Sequence, residues 1–295
     1  MDLISAVGSV VAPVFLIAGL GYLWRLRNQP FDTETIGSVV MMLGSPCLIY
    51  TSLTSNTPGM TELAQMAGAA TILILCSALI AWGVLRMLGW SVHAYLPTIV
   101  QPNGGNMGLP VCLLAFGEAG LALGMAFFFV NSISQYTLGL AVSSGQFQPG
   151  ALLRQPVIWA VLFTLFVIAT DTTMPKWFND TSDILGGLTI PAMLLMLGTS
   201  LVRLKIENVS QTLVVAALRF FLGLALGWAA IWLFDLSGIL AGVVLLQSTM
   251  PSAVFNFVFA ERFDRNPDQV AAVVFQSTLL SVVTLPLMIT WAWTL

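Results

Sequence analysis

The sequence predicts an all-α polytopic membrane protein with ten transmembrane helices in two inverted five-helix repeats. Three observations predict it. Of the 295 residues, 58% are hydrophobic and only 8% are charged, whereas a soluble domain carries about 25% charged residues. Mean hydropathy is +0.93. The apolar residues gather into runs of roughly 20, the length a helix needs to cross the hydrocarbon core, and the basic residues fall almost entirely into every second linker.

The spans run roughly over 4–24, 35–53, 62–85, 93–116, 119–143, 156–171, 183–201, 209–234, 237–260 and 269–294. The first starts directly from "MDLISAVGSV", where Asp2 stands in place of the positive segment that opens a cleaved leader, and it carries Pro13. The second contains Pro46, and the third is an uninterrupted apolar run ending before Arg86. The fourth holds the least helical stretch of the chain, "QPNGGNMGLPV" over 101–111. The fifth carries "VNSISQYTLG", in which Asn131, Ser134 and Gln135 share one helical face through i, i+3 and i+4 spacing. A short sixth opens on Pro156 and the seventh contains Pro191. The eighth holds Arg219, the ninth "LLQSTMPSAVFNF", and the tenth "FQSTLLS" with Gln276. The linkers are brief and no soluble domain interrupts the spans, so residues 1–295 form a single membrane domain.

Arg25 and Arg27, Arg86, Arg154, Arg203 and Lys205, and Arg262 and Arg265 follow spans 1, 3, 5, 7 and 9. Lys176 alone of the ten basic residues follows an even span, and Arg219 lies within one. The rule that cytoplasmic loops carry the Lys and Arg excess therefore puts both termini on the periplasmic or extracellular side of a bacterial inner membrane. Ten spans divide into two fives, about 1–150 and 151–295, and an odd number inverts the second against the first. Pro13 and Pro156 are 143 residues apart, Pro46 and Pro191 are 145, and Pro110 and Pro251 are 141, each pair in corresponding spans. Inverted repeats are a frequent plan of secondary transporters.

Several function classes fall away. The ten Lys and Arg residues form no basic patch, so nucleic acid is not an expected partner. Cys47, Cys76 and Cys112 lie in apolar runs without metal-ligand spacing, and His93 is the only histidine. No nucleophile–base pair or buried acid pair suggests catalysis, and no cofactor is expected. A channel is disfavoured because no filter-forming repeat is visible.

The broken spans carry the functional reading. Each interior proline removes a backbone hydrogen bond and costs about 3 kcal/mol. In hydrocarbon the freed groups need protein or water partners. The fourth span has Pro97, Pro102 and Pro110 with Gly104, Gly105 and Gly108, while the ninth has Pro251 flanked by Gln247, Ser248, Thr249, Ser252 and Asn256. Two discontinuous helices at matching places in inverted halves point to a midplane binding site. There half-helix N-termini face an anion, and C-termini and unwound carbonyls face a cation.

These residues resemble a known family. "NGGNMGLP", with "PSAVFNFVFAERF" in the ninth span and "PAMLLMLGTSL" in the seventh, is similar to the auxin efflux carrier family, which includes plant PIN-FORMED carriers and bacterial permeases proposed for malate, malonate and similar acids. The resemblance covers essentially the whole chain. Its most specific part is an Asn-x-Gly-Asn-x-Gly-x-Pro core, here Asn103-Gly104-Gly105-Asn106-Met107-Gly108-Leu109-Pro110. It implies a fold similar to that of bile acid–sodium symporters, with spans 4 and 9 unwound and crossing near the bilayer centre. It also implies a scaffold of spans 1, 2, 6 and 7, a transport domain of spans 3–5 and 8–10, and alternating access by rocking or an elevator motion. The long hydrophilic loop of some plant members is absent, because spans 5 and 6 are joined directly over 144–155.

The expected function is secondary transport of a small organic anion, with the bilayer and a second copy of the chain as further partners. Candidate substrate contacts are Asn103, Gly105, Asn106, Pro110, Gln247, Pro251, Ser252, Arg219, Asn131, Pro46 and Pro191. The acidic residues all fall in linkers or at span ends, which disfavours a carboxylate proton relay. A sodium-coupled symporter is the alternative, with neutral ligands drawn from Asn103, Ser134, Gln247 and Gln276. Sodium-coupled relatives of the fold normally include a carboxylate there, and the expectation leans to uniport. Arg219 has two readings: a brace on unwound carbonyls, or an attractor of anionic substrate. Met41, Met42, Met193 and Met196 are read as packing.

Overall fold

The computed structural model describes residues 3–55, 58–147, 150–202 and 208–295, and among these it is helical with no strand. Arg203 and Lys205, two of the topology-setting residues, lie outside the described stretches. Helices α1 (Leu3–Leu26), α2 (Thr33–Ser55) and α3 (Met60–Met87) are followed by a half-length α4 (Val92–Val100). The 41-residue α5 (Gly104–Ser144) follows, interrupted at Gly117. A one-turn α6 (Gly150–Leu153) precedes α7 (Pro156–Ala169), α8 (Lys176–Leu201) and α9 (Val209–Leu233). The half-helices α10 (Gly238–Thr249) and α11 (Phe255–Phe263) and the long α12 (Pro267–Ala292) complete the chain. Seven of the described helices are long and apolar enough to cross a membrane.

The surface is largely apolar, and polar side chains of the spans are buried within the apolar core, as expected of a chain solvated by lipid. Leu16, Leu20, Leu79 and Val283 are each at least 60% exposed, while Gln101, Asn103, Asn131, Arg219, Gln247 and Ser252 are at most 3% exposed. Helix α1 packs along α8 at van der Waals distance because glycines face the partner backbone. A Cβ on Gly198 would collide with the Ala18 carbonyl, and one on Gly21 with the Leu195 carbonyl. Helices α2 and α7 join that pair; α3 and α10 pack against α5, and α4, α9 and α12 pack with α3 and α10.

Two boundaries differ from the sequence reading. Span 7 begins at Lys176 rather than 183, because Lys176 pairs with Asp180 one turn on, at 2.7 Å, and the polar "KWFNDTSD" stretch becomes the first turns of α8. The fourth and fifth spans meet without a linker at Gly117 (φ 66°, ψ −157°), a backbone conformation essentially restricted to glycine. That corner is fastened by the end of α12, where Trp293 Nε1 donates to the Ala115 carbonyl at 3.1 Å.

Candidate functional site

The breaks between α4 and α5 and between α10 and α11 lie against each other. Residues 101–103 and 251–253 run antiparallel: Asn103 N–H donates to the Pro251 carbonyl at 2.7 Å and Ala253 N–H to the Gln101 carbonyl at 3.0 Å, bracketing a Pro102–Ser252 bridge. Buried backbone polar groups must find partners, and here side chains supply most of them. Asn131 Nδ2 donates to the Pro102 carbonyl at 3.3 Å, and Asn256 Nδ2 to the Gln101 carbonyl at 3.4 Å and Ser252 Oγ at 3.0 Å. Ser252 N–H is taken by Ser277 Oγ at 3.1 Å. The sequence pairs Pro110 with Pro251, but Pro110 lies beyond the break, in the turn of α5 that directly follows Gly104–Gly108. Pro102 is the residue that runs beside Ser252.

Three π-helical turns converge on these paired breaks: Val40–Gly44 within α2, and Gly104–Gly108 and Gln135–Gly139 within α5. A π-turn shifts the side-chain register and is found frequently at functional sites. Each contributes to one cavity of about 40 Å³: Met41 from the first, Gly105 and Asn106 from the second, Gln135 and Tyr136 from the third. Pro102, Asn103, Phe128, Asn131, Ser132, Met193, Ala253, Val254 and Phe255 complete the wall. Room of this size holds two or three waters, at about 10–15 Å³ each by this measure, and no organic acid. Among the described residues, no acidic or basic side chain lines it.

Asn131 brings a buried, unpartnered acceptor to the cavity, its Oδ1, and Asn103 an unpartnered donor, its Nδ2. The helix that follows makes its first bonds from Met107 and Gly108 N–H to the Asn103 carbonyl, at 3.3 and 3.0 Å. The amides of Gly104, Gly105 and Asn106 are therefore the orphan donors of its N-terminus. Helix α11 also begins at the cavity, with Val254 and Phe255.

Of the sequence-chosen residues, Asn103, Gly105, Asn106 and Asn131 meet in this cavity. Ser252 and Pro251 pair with Pro102 and Asn103 in the other break. Gln247 lies behind it, its amide against the place where a Cβ on Gly104 or Gly108 would sit and its Nε2 3.8 Å from Cys112 Sγ. Arg219 also stands outside the cavity, 1% exposed, donating to the carbonyls of Ile99, Ser248 and Met250. Pro46 lines a separate apolar cleft of about 520 Å³ with Tyr50, Pro156 and Phe178, and Pro191 is exposed. The candidate sodium ligands have different partners: Ser134 Oγ accepts from Gln101 Nε2 at 2.9 Å, and Gln276 Nε2 donates to the Val209 carbonyl at 3.4 Å. The sequence reading missed Phe128 and Tyr136 and took Met41 and Met193 for packing. The π-turns that aim Met41 and Tyr136 leave no trace in residue spacing.

Comparison with known proteins identifies the family. The model of the membrane transport protein family matches residues 6–149 and 144–289. An uncharacterised transporter of Methanothermobacter thermautotrophicus is 27% identical, over 94% of this chain and 95% of its own. One of Methanocaldococcus jannaschii is 20% identical, over 97% and 98%. A protein of Rhizobium meliloti, provisionally named a malonate transporter, is 24% identical over 95% of this chain and 94% of its own. The chain therefore belongs to the membrane transport protein family, the auxin efflux carrier-like group that its Asn103–Pro110 stretch resembles.

Proposed function

We propose that the protein is a secondary transporter of a small organic anion, bound at the cavity beside the crossed breaks. The observation that carries this is the unpartnered Asn103 Nδ2, buried at a helix N-terminus in a cavity without any carboxylate. Free amide donors and the positive end of the helix dipole stabilise a carboxylate there. The provisional malonate assignment of the Rhizobium relative supports the same ligand class.

The cavity lies between two helix groups. Met41 and Met193 come from α2 and α8, and the remaining wall comes from α5, the crossing and α11. Rocking of α3–α5 and α9–α12 against α1, α2, α7 and α8 opens it to alternate sides and widens it from about 40 Å³ to admit the acid. The chain crosses the bacterial inner membrane ten times with both termini outside, in two inverted repeats whose breaks cross near the bilayer centre. An uncoupled anion carrier then favours export under an inside-negative potential, by about 2.3 kcal/mol per charge per 100 mV.

The test is exchange of labelled malonate and related acids in proteoliposomes. Unlabelled acid on the far side accelerates uptake through a carrier, and Asn103→Ala lowers uptake at least tenfold while the protein still melts cooperatively. Absence of both exchange and any acid-induced thermal shift, or full activity in Asn103→Ala, refutes the reading.

A further inference from the structure

We propose that Arg219 is a tethered cation, permanently filling the place at the crossed half-helices where a mobile coupling cation would otherwise bind. Its guanidinium donates from Nε to the Met250 carbonyl at 3.2 Å, from Nη1 to the Ile99 carbonyl at 3.0 Å and from Nη2 to the Ser248 carbonyl at 2.8 Å. All three acceptors belong to the last turns of α4 and α10 or to the residue that ends them. They are the orphan carbonyls and negative dipole ends of the two half-helices that lead into the crossing. In broken-helix transporters these are the groups that hold Na⁺. Here one planar fork, rooted in the uninterrupted α9, reaches both half-helices at once.

The surroundings fit a built-in counter-charge. Arg219 is 1% exposed, and the ion pair present among the described residues, Lys176–Asp180, lies at the start of α8. Aligned carbonyls, with no carboxylate, therefore compensate the buried charge. Gly223, one turn along α9, brings the helix close: a Cβ there would collide with the Ser248 carbonyl and lie 3.4 Å from Arg219 Nη1. Arg219 does not line the cavity, so it acts on the anion through its field and by keeping the breaks rigid. Four buried amide oxygens at or near the crossing, on Gln101, Asn131, Gln247 and Asn256, have no partner. They are the groups through which a sodium site would announce itself if the inference were wrong.

The inference rests on reading the breaks as a translocation site, but its test measures cation binding, so either can fail alone. Purified protein is melted in NaCl, KCl and choline chloride at one ionic strength. The native protein is expected to melt at the same temperature in all three. Arg219→Gly is expected to melt lower and to recover by about 3 °C or more in millimolar guanidinium or in sodium over choline, the shift a well-filled site produces in a chain of this size. Arg219→Lys, which keeps a charge, is expected to melt between the two and to ignore sodium. Should Arg219→Gly not fold, Arg219→Lys and the native protein still decide the matter. Sodium-selective stabilisation of either overturns the proposal, as does an Arg219→Gly protein that folds yet responds alike to every salt.

Discussion

Gly223→Ala is the sharpest small perturbation of the crossing. An added Cβ would press on the Ser248 carbonyl, with the carbonyl carbon 3.0 Å away. That carbonyl is held at 2.8 Å by Arg219 Nη2. Alanine favours a helix over glycine by about 1 kcal/mol. Against this stand about 1–3 kcal/mol of overpacking and about 1.5–3 kcal/mol for weakening a hydrogen bond to a charged donor. The net loss is about 1.5–5 kcal/mol, or roughly 2–8 °C in melting temperature at this chain length. The assay is thermal unfolding of detergent-purified protein by fluorescence of its nine tryptophans. Gly19→Ala and Gly83→Ala are the controls, since a Cβ at either meets nothing within 4 Å. They should leave stability unchanged or raise it by about 0.4–1 kcal/mol. A Gly223→Ala protein that melts at or above the native temperature refutes the close packing of α9 on the crossing.

Asn103→Asp keeps the shape of the side chain but puts a negative charge at the N-terminus of α5; binding of acids by thermal shift should fall more than tenfold with folding preserved. Asn131→Leu leaves the Pro102 carbonyl without its donor and should cost about 1–3 kcal/mol in unfolding measurements. Gly117→Ala forces alanine into a conformation worth about 1–3 kcal/mol of strain and should lower the melting temperature, whereas Gly83→Ala, where a Cβ meets nothing within 4 Å, should not. Because Tyr136 is, among the described residues, the only ionisable side chain lining the cavity, uptake of an acid that stays fully ionised should be flat across neutral pH in proteoliposomes. A steep pH profile there would reveal a titrating group that the cavity does not contain.

Much of this architecture is legible in the residues. Pro102 with Gly104, Gly105 and Gly108, and Pro251 with its polar flanks, announce two breaks because no lipid-facing helix tolerates such groups unpartnered. Asn103, Asn106 and Asn131 are readable as site candidates because buried amides need partners. Gln247 and Ser134 carry the same signal, yet the chain directs them to Cys112 and Gln101. The breaks' pairing was misleading in sequence, since Pro110 matches the repeat spacing while Pro102 makes the crossing. Met41, Phe128, Tyr136 and Met193 look like ordinary apolar side chains until the π-turns and the meeting of α2, α5 and α8 bring them around the cavity.

By itself the sequence determined the solvent of this protein, the approximate extent of its helices and the places where two of them break. Those follow from hydropathy, chain length and backbone chemistry, which act within one span. Only the tertiary structure decided that the breaks pair with each other through Asn103 and Pro251, that Asn103 keeps a free donor, and that Arg219 lies on carbonyls of both half-helices outside the cavity. Each of these depends on which distant backbone group a polar side chain meets once packed, and residues as far apart as Ile99 and Arg219 carry no local mark of that meeting.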